Sequence, residues 1–154
     1  MEKKKRFVQV GVGGRARFFY QALAKDYSDT SELVAFCDIN PMRLEYAQKN
    51  LMENYCYHKV NLYGADEFDK MIEQEKPDCV IVTSIDRTHQ KYIIRAIELG
   101  CDVLSEKPMT TTAEKCQEIL DAVKRTGKHL RVSFNYRYAP HNSQIRRLGG
   151  VRNP

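Results

Sequence analysis

Apolar and polar positions fall into two kinds of block that alternate along almost the whole chain. Short apolar-rich runs stand at Phe7–Val10, Leu33–Cys37, Val60–Tyr63, Asp78–Thr83, Cys101–Ser105 and His129–Phe134. Their length and their β-branched and aromatic content predict six β-strands. Between them, apolar residues recur at helical spacing over Arg17 to about Tyr27, Pro41 to about Glu53, Gly64-Ala65-Asp66 to about Lys76, Thr88–Leu99 and Thr112–Arg125. Gly100 and Gly127 stand where helices stop, and Asn40-Pro41 stands where one starts. Pro140–Leu148 begins a further helix. The strands read as near-continuous apolar runs, as happens when both faces of a sheet are covered. Strict alternation of strand and helix then predicts a doubly wound α/β domain, with a mainly parallel six-stranded sheet and helices on both faces. No short internal repeat stands out.

Composition narrows the class without changing it. The chain has 154 residues, 42% hydrophobic and 29% charged, which suits one globular domain and excludes global disorder. No apolar stretch approaches the roughly 20 residues of a spanning helix, so no membrane partner is expected. Met1-Glu2 leads into lysines, without the apolar core of a secretory leader. The 25 Lys and Arg exceed the 20 Asp and Glu, giving a formal charge of +5. Part of that excess lies in Lys3-Lys4-Lys5-Arg6 and in Arg146-Arg147 with Arg152. No stacking aromatics interleave with these clusters, so they read as solvated ends rather than a nucleic-acid surface. Cys37, Cys56, Cys79, Cys101 and Cys116 are an odd, irregularly spaced set with no C-x-x-C, which gives zinc and dithiol chemistry no support. Cys37, Cys79 and Cys101 sit in or beside apolar runs, as reduced thiols of a cytoplasmic protein would. His58 beside Cys56 lacks further ligands at metal spacing, so no metal is expected.

The first strand runs into Gly11-Val12-Gly13-Gly14-Arg15-Ala16, which fits G-x-G-x-x-A and opens a helix. Gly11 permits a tight turn, Gly13 lets backbone approach a pyrophosphate, and Ala16 lets the helix pack close to the sheet. The helix N-terminus offers unpaired N–H groups to phosphate. Asp38 ends the second strand roughly 20 positions beyond Ala16, where a carboxylate accepts from the adenosine ribose hydroxyls. The less favoured reading makes it only the N-cap of the helix that begins at Pro41. Together these features predict a Rossmann-type dinucleotide site. An acidic residue at this place favours NAD over NADP, and Arg43 nearby softens the preference enough to leave NADP open.

Four blocks in order and spacing resemble one family, the Gfo/Idh/MocA NAD(P)-dependent oxidoreductases. They are the Gly11–Ala16 turn, Cys37-Asp38-Ile39-Asn40-Pro41 with Arg43, Glu106-Lys107-Pro108, and Ser133-Phe134-Asn135-Tyr136-Arg137-Tyr138 with Pro140. The resemblance covers roughly residues 6–148. It implies hydride transfer between a nicotinamide and a CH–OH group of a sugar or cyclitol, with Glu106 and Lys107 at the nicotinamide end. Lys107 would stand near the transferred hydride and the substrate hydroxyl, often with the Lys-Pro bond cis in this family. Asn135 and Arg137 would lie near the nicotinamide and the substrate mouth. The family's T-P-N-x-x-H at the end of the fourth strand reads Ser84-Ile85-Asp86-Arg87-Thr88-His89 here, with Ser84 and His89 at its cofactor-loop positions and Ile85 in place of proline. From the residues alone, Tyr136 and Tyr138 are strand-end aromatics.

Family members are about twice this length or more, with a second domain that carries substrate contacts. Residues 1–138 are thus expected to form the dinucleotide-binding domain, and 139–154 the start of a linker or helix toward a substrate domain that this chain does not contain. Leu148–Pro154 does not resemble the usual continuation. The expected function is the cofactor half of an oxidoreductase, inactive alone, which takes a sugar or cyclitol only if that domain is supplied. Two alternatives stay open: a stand-alone NAD(H)-binding or sensing module, and the cofactor domain of an NAD-dependent, redox-assisted glycosidase. Specific self-association into a homo-oligomer would favour the module.

Overall fold

The computed structural model describes residues 3–148, so Arg152 and the Gly149–Pro154 end lie outside the described residues. Six strands are present: β1 (Lys5–Val10), β2 (Ser31–Asp38), β3 (Asn61–Gly64), β4 (Cys79–Val82), β5 (Asp102–Glu106) and β6 (Leu130–Ser133). They form one sheet in the order β3-β2-β1-β4-β5-β6, and every neighbouring pair is parallel. The helices are α1 (Ala16–Gln21), α2 (Pro41–Tyr55), α3 (Phe68–Glu75), α4 (Asp86–Glu98), α5 (Ala113–Thr126) and α6 (Pro140–Leu148). The strand order reverses direction between β1 and β4, so a crevice opens at the carboxyl ends of those two strands.

Alternation of side chains along the strands divides the core between the two faces of the sheet. On one face α1 and α2 pack Phe19, Leu44 and Leu51 against Leu33, Phe36 and Ile81. On the other, α3, α4 and α5 pack Met71, Ile93, Ile97 and Ile119 against Val8, Val80 and Val103. The central strands are buried on both sides, as the near-continuous apolar runs require. Cys37, Cys79 and Cys101 are buried free thiols. Burial is the main cause that pushes the first two up to about 12 and the third to about 11, which leaves them unreactive in the folded chain. No helix among the described residues is long and apolar enough to cross a membrane.

Three local readings are corrected. The helix predicted over Arg17–Tyr27 is an α-helix only to Gln21 and continues as a π-helix over Ala22–Asp26. The wider turn lets Tyr27 end the element, with its N–H on the Ala22 carbonyl and its own carbonyl accepting from Thr30 and Ser31, which swings the chain into β2. The helix predicted from Thr88 begins at Asp86. Phe134 falls outside β6: its N–H bends back to the Val132 carbonyl, and Asn135–Tyr138 form a 3₁₀ turn rather than a strand end. Tyr136 is therefore exposed on that turn.

Gly11 is the position where backbone geometry leaves no choice of residue. Its φ is +82°, and a Cβ built on it would stand 2.4 Å from the Ser84 backbone, at the end of β4. Gly127, the left-handed cap of α5, also has a positive φ of +70° but open space around it. We expect Gly127→Ala to cost about 1 kcal/mol, the conformational penalty alone. Gly11→Ala should cost more than about 3 kcal/mol or prevent folding, because the conformational penalty adds to a clash between two backbones. Urea unfolding of the two variants beside the parent chain checks this ordering.

Candidate functional site: a cleft at the strand-order switch

The turn after β1 is held from both neighbouring strands. The Gly11 N–H donates to the Cys37 carbonyl at 2.8 Å. The Thr83 hydroxyl, just past β4, donates to the Gly11 carbonyl at 2.6 Å. Gln9, wholly buried in β1, sends its side-chain amide to the Ala16 carbonyl at 3.0 Å and the Thr83 hydroxyl at 2.9 Å. Ala16 is itself fully buried, so α1 starts flush against the sheet. Asp38 completes the frame: one carboxylate oxygen accepts from the Val12 N–H at 2.7 Å and the other from the Asn40 N–H at 2.8 Å. Asn40, not Asp38, caps α2, through its side-chain oxygen on the Met42 N–H. Asp38 instead ties the glycine turn to the loop after β2.

Gly13 and Gly14 serve a different purpose from Gly11. Neither has a positive φ, and a Cβ at either would meet no atom within 4 Å. Their missing side chains leave room rather than relieve backbone strain, and the room opens into a cleft of about 310 Å³. Among the residues singled out from sequence, Gly11, Gly13, Gly14, Arg15, Asp38, Arg43 and Ser84 line this cleft. Residues the sequence reading did not assign to it line it too, notably Ile39, Ile85, Arg87 and Thr88. Ile39 is 83% exposed and Ile85 56%, an unusual state for isoleucine beside turns that are otherwise polar. In the sequence each is a single apolar residue inside a turn, which carries no periodic signal. A bare glycine cradle, a carboxylate at the end of β2 and two open isoleucines fit the phosphates, ribose and base of a dinucleotide.

The remaining predicted residues do not line the cleft. His89 is 2% exposed and lies behind the β4–α4 loop, where Nε2 stands 3.0 Å from the Ser84 carbonyl and Nδ1 2.8 Å from the Pro108 carbonyl. It joins the cleft wall to the segment after β5. Glu106 ends β5, buried, with one carboxylate oxygen on Arg15 Nε and the other accepting from the Lys107 N–H at 2.6 Å. The Lys107–Pro108 bond is cis. Thus the backbone of Lys107 is fixed just before it by Glu106 and just after it by His89. Its side chain is exposed, and its ammonium has no partner among the described residues. Asn135 and Arg137 are exposed on the 3₁₀ turn after β6, at the same carboxyl edge of the sheet.

The His89 bridge has a direct consequence for stability. His89→Leu keeps the bulk but removes the ring N–H that one of these part-buried carbonyls accepts from, at a cost of about 1–3 kcal/mol. We expect a loss of about 1–3 kcal/mol, read as a lower denaturation midpoint with an unchanged slope.

Comparisons with known proteins bear on the family and the fold. A model of the oxidoreductase family with an NAD-binding Rossmann fold matches residues 5–134. YteT of Bacillus subtilis, named as an oxidoreductase, is 33% identical over 145 residues, which are 94% of this chain and 33% of that protein. D-glucoside 3-dehydrogenase of Escherichia coli is 38% identical over 115 residues, 75% of this chain and 30% of that one. Among solved structures, the WlbA dehydrogenase of Chromobacterium violaceum, in complex with NADH and UDP-GlcNAcA, superposes with a TM-score of 0.79 at 31% identity. The match covers 96% of this chain and 40% of that one. The chain thus spans about a third of the length of the curated relatives it matches.

Proposed function

The chain belongs to the oxidoreductase family with an NAD-binding Rossmann fold, the Gfo/Idh/MocA oxidoreductases, and on that premise we propose that it is the cofactor-binding half of a sugar or cyclitol dehydrogenase. The observation that carries this reading is the glycine turn, with Gly13 and Gly14 open to the cleft and Asp38 tied to its backbone. Residues 1–138 form the dinucleotide domain in this reading, and 139–154 lead toward a substrate domain. The substrate class is supported by D-glucoside 3-dehydrogenase among the relatives.

Each residue has a physical task in this reading. Gly13 and Gly14 admit the pyrophosphate against bare backbone, and Arg15 supplies positive charge beside it. The Asp38 oxygens hold backbone N–H groups along one direction each and keep lone pairs for the adenosine ribose hydroxyls. That carboxylate repels a 2′-phosphate, so NAD is the preferred cofactor. Arg43 on the same cleft tempers the discrimination and leaves NADP a weaker ligand. A bound nicotinamide supplies the hydride acceptor or donor. Lys107, its backbone clamped and its ammonium unengaged, donates to the substrate oxygen, stabilises negative charge developing there and can relay the hydroxyl proton. Asn135 and Arg137 flank the nicotinamide and the substrate mouth.

Titration with NADH and then NADPH, followed by reduced-nicotinamide fluorescence, tests the reading; the chain has no Trp to obscure the signal. We expect saturable NADH binding, tighter than NADPH. Asp38→Ala should weaken NADH about tenfold and narrow the gap to NADPH. Gly13→Ala should unfold at the parent's denaturant midpoint yet lose binding, since its methyl group points into open cleft. Failure of the folded chain to bind either nucleotide would sink the proposal.

A further inference from the structure

We propose that Glu106 is a positioning residue that joins Lys107 to the phosphate turn through Arg15, so that filling the turn and placing the lysine are one event. The proposal rests on the cofactor reading above and goes beyond it, because it gives Glu106 no direct contact with the cofactor. In the sheet, β4 lies between β1 and β5, so the Arg15 side chain crosses the end of β4 to reach Glu106. The Glu106 side chain is 6% exposed and that of Arg15 44%. A carboxylate so far removed from water must have its oxygens satisfied from within. One is satisfied by Arg15 Nε and the other by the Lys107 N–H. Both oxygens of Glu106 are therefore anchored within the chain.

Arg15 faces two ways. Its Nε serves Glu106, its guanidinium lies 5.0 Å from the Phe18 ring, and it lines the cleft. Nη1 and Nη2 make no hydrogen bond among the described residues. The guanidinium is a rigid plane whose donors are arranged to take phosphate oxygens at one edge while holding a carboxylate at another. When the terminal nitrogens engage a phosphate, the plane turns as a unit and Oε1 of Glu106 turns with it. The carboxylate is equally rigid, so Oε2 carries the change to the backbone of Lys107, the residue that meets the substrate.

The test uses ADP, which carries the diphosphate and adenosine but no nicotinamide that could reach Lys107 directly. On the ¹⁵N-labelled chain we expect saturating ADP to move the Lys107 amide resonance in the parent and to leave it still in Arg15→Ala, where ADP binding weakens about tenfold. Arg15→Lys keeps the charge but not the planar fork, and should lose the response in a chain whose fold is retained. Glu106→Gln should shift the Lys107 amide proton upfield before any ligand is added, because a neutral amide is the weaker acceptor, and should abolish its response to ADP. If ADP binds the parent saturably and the Lys107 amide stays put, or if Arg15→Ala keeps the response, the coupling is overturned while the cofactor site stands. If neither ADP nor NADH binds the folded chain, the cofactor reading falls and the coupling falls with it.

Discussion

The cleft exists because the backbone at Gly11 closes against the end of β4 at a distance that excludes any side chain. Thr83 locks that approach with a hydroxyl on the Gly11 carbonyl, and Gln9 braces it from beneath by holding both Thr83 and the first turn of α1. With β1 and β4 pinned together at their carboxyl ends, the chain leaves β1 sharply and opens the space between the glycine turn and the β4–α4 loop. Asp38 then fixes the outer side by accepting from Val12. Each of these bonds is made by the protein to itself, so the shape of the cleft is set before any ligand arrives. Preorganisation of this kind lowers the ordering cost of binding.

Much of this was legible from the sequence, and the reasons differ by residue. The strands announce themselves because burial on both faces demands uninterrupted apolar runs, while their order in the sheet is visible only in the structure. The glycine turn is legible because small residues at fixed spacing have a steric cause. The tasks of Gly11 and Gly13 separate in the structure as the sequence suggested, one by φ and contact, the other by open space. Asp38 was legible as a residue at the right place but not in its mechanical role, since only the fold brings Val12 within reach of it. Capping went to Asn40, the polar residue directly before the proline at the start of α2. Ile39 and Ile85 were not assigned to the cleft because a lone residue in a turn has no period to betray it.

The π-helical end of the first helix and the 3₁₀ turn after β6 show a different limit. Arg17–Tyr27 has helical spacing, and apolar periodicity does not distinguish an α-helix from a helix whose last turn is widened by one residue. The widening is decided by where the chain must go next, into β2 beside β1. Likewise Phe134 has the composition of a strand residue, but β6 pairs only with β5, and beyond Ser133 the chain turns back on itself. In both places tertiary demand overrides a local preference that was read correctly.

The site divides into a finished part and an open part, and the division follows the physics of each task. In the proposed reading, phosphate and ribose recognition needs fixed dipoles and bare backbone, and the frame of the turn is tied down: Gly11, Val12 and Asp38 all have partners within the chain. Proton and charge transfer at a substrate oxygen needs a cation that is held in direction but not yet engaged. Lys107 meets both conditions, clamped through Glu106 and Pro108 while its ammonium remains in solvent. An exposed ammonium acts through a dielectric close to that of water, in which its pull on a developing alkoxide is weak. Excluding that water requires a surface closing over Lys107 and the turn bearing Asn135 and Arg137, which this chain leaves exposed. In the proposed reading, cofactor binding and catalysis thus make different demands: the first rests on a turn braced by bonds within this chain, and the second grows strong only where something further covers the lysine.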